Sequence, residues 1–311
     1  MRVRMLRSMT VAGNPGSIAE RTLAIVVHYG DPALTEQCLR SIDAGRTRPG
    51  LLVVVDNGPE PLDPAMLDLM GTPHHLIRPG ENAGFAAGVN LAIAAHPGFD
   101  RAWLLNNDAV AEPGALQELV EAAGRAAGPA LISSLIMDTD TGEVWFERAR
   151  FYPWRLESRH NRVHGSPDAD TIDPGRPSML GVPYLPGCSV LVPTDIAGSW
   201  GLLDPAFFVY GEDIDLALRA TDRGWPLIVA RRSVVRHRPS SGASEATRER
   251  LLAESGSRIV RRRYPLLLPF SVFSGLALGV LRGILERRRY RVEARVEGYA
   301  SGLRRAPARR R

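Results

Sequence analysis

The chain has 311 residues, 44% of them hydrophobic and 23% charged, an ordinary globular composition that excludes a disordered, collagen-like or fibrous protein. All 39 basic residues are arginine and the formal net charge is +5, so the total charge does not by itself indicate a phosphate-binding surface. The distribution is uneven: residues 258–311 hold 15 arginines and three acidic residues, and the rest of the chain holds 24 arginines and 31 acidic residues.

Cysteine usage and the N-terminus narrow the class of protein further. Cys38 and Cys188 lie far apart without a CxxC spacing, which argues against a disulfide scaffold or a structural zinc site and favours a reducing compartment. Residues 1–20 lack the apolar core and cleavage site of a secretory signal, so we expect a disordered extension there.

From about residue 21 onward, short β-branched runs alternate with helical patterns, which predicts an α/β layer on a largely parallel sheet. Strands are predicted at residues 23–29, 51–55, 75–77 and 102–105, and helices at 31–42 and 84–95. Residues 139–183 have weak periodicity and predict irregular strands and loops.

Order returns in the second half. Residues 184–192 predict a strand that contains Gly187, where a ligand or a second backbone has room to approach. A helix is predicted from Gly211 to Gly224, followed by a strand at 227–230 and by His237 just before a loop signal.

The C-terminal region is apolar and basic. Residues 264–281 carry no charge, and a helix over 270–285 would be about 24 Å long, short of the ~30 Å hydrocarbon layer, so spanning is not favoured. Two alternatives remain: an interfacial helix whose arginines meet anionic headgroups, or a helix packed on the protein's own body.

Two of the predicted strands end in polar, acidic turns, Asp56-Asn57-Gly58 and Asn106-Asn107-Asp108. Ligands of open α/β sheets bind beyond the carboxyl ends of the strands, so we expect Asp56 and Asp108 to face one crevice. A carboxylate there suits a hard divalent cation, although Asn and Asp are also favoured in plain turns.

Glu212 and Asp213 begin a helix directly after an aromatic segment. The helix dipole favours their ionised forms, which predicts a carboxylate ready to accept a proton at neutral pH. Acidic first turns also serve stability alone, and we assign Asp215, four residues before Arg219, to that role.

Two further segments are ambiguous when taken alone. His237 has the chemistry of a metal ligand, but a solvated loop histidine is the commoner outcome. The run NAGFAAGVN at 82–90 places Gly84 at a helix start, where backbone N–H groups can meet a phosphate, while close helix packing explains the glycines nearly as well.

Taken in order, these blocks resemble the signatures of glycosyltransferase family 2, most closely its bacterial rhamnosyltransferase-like members. The blocks are VVDN at 54–57, NAGFAAGVN at 82–90, LLNND at 104–108, PGCS at 186–189 and FFVYGEDIDL at 207–216. The resemblance covers roughly residues 23–241, and its Asn-x-Gly-Phe and Glu-Asp-x-Asp-Leu blocks are specific.

The resemblance implies an α/β GT-A (nucleotide-diphospho-sugar transferase) fold with a mostly parallel central sheet over residues 21–245, followed by a C-terminal helical, Arg-rich region at 246–311. By position, Asp56 would contact the donor base, Asp108 would ligate Mg²⁺ or Mn²⁺ on the diphosphate, His237 would add a later metal or diphosphate contact, and Asp213 would be the catalytic base beside Glu212. Asn106 stands where the family carries the first Asp of its Asp-x-Asp element, which removes one charge. The remaining predicted donor contacts are His28, Tyr29, Asn57, Asn82, Gly84, Asn90, Asn106, Asn107 and Gly187.

The implied activity is inverting transfer of rhamnose or a similar hexose from dTDP-rhamnose or a UDP-sugar to a hydroxyl of a glycan or lipid-linked acceptor. It would belong to cell-wall or polysaccharide synthesis, in the cytoplasm or peripherally on the inner face of the plasma membrane. Alternatives are a catalytically inactive nucleotide-sugar binder and a sugar-phosphate nucleotidyltransferase, whose glycine- and lysine-rich loop is absent here. No nucleic-acid partner is expected, because the tail aromatics are dispersed and the body is acidic.

Overall fold

The computed structural model describes residues 17–68, 70–163, 178–198, 201–238, 244–285 and 290–304. Its strands are β1 (Thr22–His28), β2 (Leu51–Asp56), β3 (His74–Ile77), β4 (Arg101–Asn106), β5 (Ala109–Ala111), β6 (Leu131–Asp138), β7 (Val144–Tyr152), β8 (Glu157–Val163), β9 (Met179–Gly181), β10 (Ser189–Pro193) and β11 (Leu227–His237). Its helices are α1 (Pro32–Asp43), α2 (Ala65–Asp68), α3 (Phe85–Ala95), α4 (Ala115–Arg125), α5 (Glu212–Asp222), α6 (Glu245–Arg263), α7 (Leu268–Leu285) and α8 (Tyr290–Leu303).

One mixed sheet joins these strands in the order β3, β2, β1, β4, β10, β6, β11, β5, with β7 and β8 extending from β6 and β9 pairing with β11. The α/β class is confirmed. Strands β3, β2, β1 and β4 are parallel, whereas β10 runs antiparallel to both of its neighbours. Parallel neighbours need a crossover such as α1 or α3, and the second half of the chain supplies few, so the sheet as a whole is mixed.

The first four strands lie where the alternating pattern predicts them, with small shifts at their ends. All seven residues of β1 are buried, because helices cover both faces of this part of the sheet and a doubly covered strand reads as a continuous apolar run. Helix α1 begins where Asp31 accepts a hydrogen bond from the Ala33 backbone N–H at 2.9 Å and Pro32 occupies the first turn.

Three regions differ in detail from the sequence-based expectations. The segment predicted as irregular contains a regular antiparallel hairpin of β7 and β8, joined by a 3₁₀ turn at Pro153–Arg155, and residues 164–177 lie outside the described residues. The strand predicted at 184–192 begins only at Ser189. The predicted extension at 1–20 falls mostly on residues 1–16, outside the described part, but residues 17–20 form a turn in which Ala19 is buried.

The C-terminal helices pack on the body and on one another. Helix α6 begins at Glu245 with Ser244 as its N-cap, and a domain boundary at residue 245 stays a prediction. From α6, Arg262 pairs with Asp204 at 2.5 Å and the Arg258 guanidinium donates to the Ala206 carbonyl. Helix α8 packs against both α6 and α7.

Candidate active site

The carboxyl ends of β1, β2 and β4 bring the predicted polar residues together. The Asn57 backbone N–H donates to the His28 carbonyl at 3.0 Å. The Asn107 side-chain amide donates to the Tyr29 carbonyl at 3.1 Å and to the Thr35 hydroxyl at 3.0 Å. Thr35 also bonds the buried His28 ring at 2.7 Å, so one network ties the ends of β1 and β4 to α1.

Asp56 is almost fully buried and fully engaged. Its carboxylate accepts hydrogen bonds from the Gly58 and Leu62 backbone N–H groups, at 3.2 and 2.8 Å, and from Arg78 at 3.3 Å. The sequence reasoning missed Arg78, although it directly follows β3 at the same sheet edge. Its side chain is 42% exposed, whereas the Asp56 carboxylate behind it is 2% exposed, so the guanidinium is the accessible member of this pair.

Gly84 joins this pocket to the second half of the chain. Its φ is +83°, and a Cβ atom there would lie 2.5 Å from the Phe208 carbonyl oxygen. That carbonyl accepts the Phe85 N–H at 2.8 Å, while the Gly84 carbonyl accepts the Asn57 amide at 3.0 Å and its N–H donates to the exposed Asn82 side chain. The Asn-x-Gly-Phe block is therefore the contact between the end of β2 and residues 207–210.

Asn90 has a different environment from the other predicted donor contacts. Its side-chain amide donates to the Leu203 carbonyl at 2.7 Å and accepts from the Leu203 N–H at 3.0 Å. Both amide atoms thus hold the loop at 201–203 against α3. A direct contact between Asn90 and the donor stays a prediction.

Asp108 and His237 meet across the sheet, at the end of β4 and the end of β11. Their Oδ1 and Nε2 atoms are 3.1 Å apart, and both side chains are about nine-tenths buried. The expected solvated loop histidine is wrong, because β11 runs through the arginine-rich segment to His237 and pairs with β5 and β6 there. Burial opposes protonation of His237, but the Cys188 sulfur and Asp108 outweigh burial and raise its pKa to about 10.

This pair has the donor chemistry of a divalent-cation site that is completed by a ligand. Carboxylate oxygen and imidazole nitrogen suit Mn²⁺, which would displace the His237 proton on binding, and Mg²⁺ is commonly held by one or two protein groups plus phosphate oxygens and water. Across the described part of the chain, no group of three or more His, Cys, Asp or Glu could hold an ion by itself. A cation here would therefore depend on the donor's diphosphate for its remaining ligands.

Glu212 and Asp213 open α5 after two residues in the left-handed region, Tyr210 with φ +67° and Gly211 with φ +88°. Asp213 accepts hydrogen bonds from three donors: the Tyr184 hydroxyl at 2.5 Å, the Gly187 N–H at 3.2 Å and its neighbour's N–H, at Ile214, at 2.8 Å. The two acids line a cavity that is otherwise mostly apolar, with Phe85, Leu104, Leu185, Leu203 and Leu216 among its walls.

Burial opposes the effect of the helix dipole on the ionisation of Glu212 and Asp213, and burial is the stronger of the two. Desolvation raises the pKa of Glu212 to about 8 and also raises the pKa of Asp213. The expectation that the dipole keeps both acids ionised at neutral pH is thus corrected. The three donors favour the charged form of Asp213, whereas Glu212 Oε2 has no hydrogen-bond partner among the described residues. Asp213 is therefore the carboxylate of the pair and Glu212 the acid.

The segment Gly187-Cys188 connects the two halves of the site. The Gly187 N–H donates to Asp213 at 3.2 Å, and the Cys188 carbonyl accepts the Asn106 N–H at 2.9 Å, two residues before Asp108. Burial also raises the pKa of the Tyr210 phenol. Tyr210 stands inside the FFVYGEDIDL block, whereas no sequence signal marked Tyr184 as the residue that orients Asp213.

Comparison with known proteins agrees with this geometry. The sequence profile of the family described as "Glycosyltransferase like family 2" matches residues 20–257. Two curated Mycobacterium tuberculosis proteins, each named N-acetylglucosaminyl-diphospho-decaprenol L-rhamnosyltransferase, are 28% identical over 236 residues, which is 70% of this chain and 76% of theirs.

Among solved structures, GalNAc-T7 with UDP, GalNAc and Mn²⁺ superposes with a TM-score of 0.62 at 14% identity, over 88% of this chain and 54% of that one. This chain therefore spans about half the length of GalNAc-T7. A mannosyltransferase from Pyrobaculum calidifontis with GDP-Man and Mn²⁺ gives a TM-score of 0.54 at 14% identity, over 91% of this chain and 87% of that one. These likenesses confirm the GT-A fold.

The Gly84 contact predicts a large difference between two glycines of positive φ. Gly84→Ala and Gly80→Ala both place a side chain at a positive φ, +83° and +89°, a strain of about 1–3 kcal/mol. At Gly80 no atom lies within 4 Å of the added Cβ, whereas at Gly84 the Phe208 carbonyl does. We expect urea unfolding to show that Gly84→Ala lowers the free energy of unfolding by about 1–3 kcal/mol more than Gly80→Ala does. Equal losses of stability in the two variants would show that the Phe208 backbone moves away from the added Cβ at no cost.

The raised pKa of Glu212 predicts a pH-dependent stability. Between about pH 4.5 and 8 the folded state binds a proton that the unfolded state has released, so the free energy of unfolding should fall as pH rises through that window. The slope is at most about 1.4 kcal/mol per pH unit for one group. Urea unfolding at several pH values should show a shallower decline in Glu212→Gln than in wild type, and no such change in Glu118→Gln, a first-turn acid of α4. An unchanged slope in Glu212→Gln would contradict the assignment.

Proposed function

Because the chain belongs to the glycosyltransferase-like family 2, we propose that it catalyses an inverting transfer of rhamnose or a similar hexose from a nucleoside diphosphate to a hydroxyl of a glycan or lipid-linked acceptor. The family and the GT-A fold establish the coarser statement, a glycosyltransferase that uses a nucleotide-sugar donor. The observation that carries the finer proposal is one connecting segment. The Gly187 N–H donates to the buried carboxylate of Asp213, beside Glu212, and the carbonyl of the next residue, Cys188, accepts the Asn106 N–H, two residues before Asp108.

The edge formed by β1, β2 and β3 is the proposed site for the donor nucleotide. Arg78, anchored by the buried Asp56, would present its guanidinium to the base, and the backbone around His28 and Tyr29 would line the same pocket. The two mycobacterial relatives are named as L-rhamnosyltransferases, which supports dTDP-rhamnose as the donor, with a UDP-sugar as the alternative. The donor pocket would continue through the backbone of Gly84 and the amides of Asn57, Asn82 and Asn107.

Asp108 and His237 are the residues that would hold Mg²⁺ or Mn²⁺. When bound, such an ion would act as a Lewis acid on the diphosphate and stabilise the charge that develops on the leaving group. Asn106, three residues into the LLNND block, supplies an amide in place of a second carboxylate, so this protein contributes one charge less to the ion. The two related structures were solved with Mn²⁺, which supports divalent metal use.

Asp213 is the proposed catalytic base. The acceptor oxygen attacks the anomeric carbon as its proton passes to the Asp213 carboxylate, the bond from that carbon to the diphosphate oxygen breaks, and the nucleoside diphosphate leaves. A single displacement from the face opposite the diphosphate inverts the anomeric centre. Glu212, protonated at neutral pH, keeps the pair at one negative charge and offers an O–H donor beside the base.

The acceptor suggests where the enzyme works. The mycobacterial relatives are named for a diphospho-decaprenol acceptor, which supports a lipid-linked acceptor here as well. A role in cell-wall or polysaccharide synthesis follows from that acceptor, with the enzyme in the cytoplasm and peripheral on the inner face of the plasma membrane.

Substitution of Asp213 tests the base. We expect Asp213→Asn to lower the rate of sugar transfer by about 10²–10⁴-fold with donor binding retained, since general base catalysis contributes on that order. Asp215→Asn is the matched control, two residues later on α5, where Asp215 pairs with Arg219 at 2.8 Å instead of facing the cavity. Transfer is read from released nucleoside diphosphate. A folded Asp213→Asn enzyme with near wild-type turnover would remove Asp213 as the base.

The metal site gives an independent test. Titration of Mn²⁺ in the presence of a nucleoside diphosphate, followed by the electron paramagnetic resonance of the free ion, should show binding that is at least about tenfold weaker in Asp108→Asn, because a carboxylate ligand becomes an amide. Asp140→Asn, an exposed acid on the turn after β6, should bind like wild type. Transfer that persists after chelation would count against a metal held at Asp108.

A further inference from the structure

The outer face of α7 and of the turn before it is a continuous exposed apolar stripe. Leu266 is 95% exposed, Phe273 71% and Ile284 70%. The exposed apolar members, at helical spacing, are Leu266, Leu267, Phe270, Phe273, Val280, Leu281, Ile284 and Leu285. A helix on a water-facing surface normally carries polar residues there, so this face is built for an apolar partner.

The inner face of α7 is already occupied. Gly275 lies against the Tyr299 ring and Gly279 against the Arg295 side chain, so α8 approaches closely along α7. Ser274 donates to the Trp154 carbonyl in the 3₁₀ turn between β7 and β8. Within the described residues, Pro265–Leu285 is long and apolar enough to cross a membrane, with mean hydropathy 1.7. A helix held along one side by α8 and this turn lies in a surface more readily than across it.

The charge pattern on either side of α7 indicates which kind of partner its outer face binds. No acidic residue occurs between Glu254 and Glu286, while arginines stand on both sides of the apolar stretch, at 261–263 and at 287–289. Arg261 donates to the backbone carbonyls of Leu303 and Arg304, and among the described residues no acid compensates its charge. An anionic lipid surface complements this pattern, whereas a second copy of the chain would bring like charges together.

The occupied inner face of α7 is connected to the candidate base. The 3₁₀ turn that packs on α7 leads into Leu156, which contacts both Gly256 and Gly275. Two residues on, the Ser158 hydroxyl bonds Tyr184, and Tyr184 holds the Asp213 carboxylate. Trp154, in the turn itself, is 42% exposed, and tryptophan is enriched at the boundary between headgroups and acyl chains. A continuous chain of contacts therefore joins α7 to Asp213.

We propose that the outer face of α7, with Trp154 beside it, docks in the plane of an anionic lipid bilayer and so turns the Asp213 side of the site toward the membrane. Leucine and phenylalanine side chains enter the acyl boundary, and the flanking arginines meet the headgroups. The docking does not depend on the proposed reaction, whereas the delivery of a lipid-linked acceptor to Asp213 does depend on that reaction.

Co-sedimentation of the full chain with vesicles tests the docking. We expect binding to equimolar phosphatidylglycerol and phosphatidylcholine at low salt, and weaker binding to phosphatidylcholine alone. The double variant Leu266→Ser/Leu281→Ser should bind at least about tenfold more weakly, because two exposed leucines no longer enter the apolar layer. The matched control Leu91→Ser/Leu252→Ser changes two leucines of 40% and 39% exposure on α3 and α6, and should bind like wild type.

A second measurement locates the contact. Brominated acyl chains should quench tryptophan emission in wild type and quench it less in Trp154→Phe. The proposal is overturned if wild type ignores anionic vesicles, if both double variants bind equally, or if sedimentation velocity shows that the α7 face instead joins two copies. Resistance of the bound protein to alkaline carbonate extraction would overturn it in favour of a spanning helix. Vesicle binding by a protein that shows no transferase activity would support the docking and contradict only the proposed reaction.

Discussion

The burial of two adjacent carboxyl groups at the start of α5 is the constraint on which the site depends. Taking Glu212 and Asp213 out of water disfavours charge on both, and the cavity walls around them are mostly apolar. The surroundings of the two acids differ, so burial does not affect their ionisation equally. Three hydrogen-bond donors face Asp213, and Glu212 keeps its proton instead, so one carboxylate and one acid stand side by side at neutral pH.

Keeping that pair in place requires contacts between distant parts of the chain. Tyr184 reaches Asp213 from the segment before β10, and Gly84 brings α3 against the backbone of Phe208, just before α5. Asn90 holds the loop at 201–203 through both atoms of its amide. These contacts fix the end of β2, α3 and the start of α5 relative to one another.

The C-terminal helices extend the same arrangement outward. Helices α6 and α8 pack on the body and on each other, which leaves α7 with one occupied face and one apolar exposed face. The contacts from α7 through Leu156, Ser158 and Tyr184 end at Asp213. Under the proposed docking to a lipid bilayer, these contacts would join the docked helix to the proposed base.

The sequence by itself determined the features that depend on neighbouring residues. Apolar runs and turn chemistry are local, so the first four strands, the starts of α1, α3 and α5, and the polar turns at Asp56 and Asp108 could all be predicted. Local pattern also marked the segment at 264–281 as apolar, but not which of its faces would remain exposed.

Only the tertiary structure decided the properties that depend on distance and burial. The antiparallel entry of β10, the burial of His237 against Asp108 and the pairing of Arg78 with Asp56 join residues far apart along the chain. The proton on Glu212 was misjudged for the same reason. A helix start favours the ionised acid, but desolvation outweighs that preference, and desolvation is set by the surrounding packing and not by sequence neighbours.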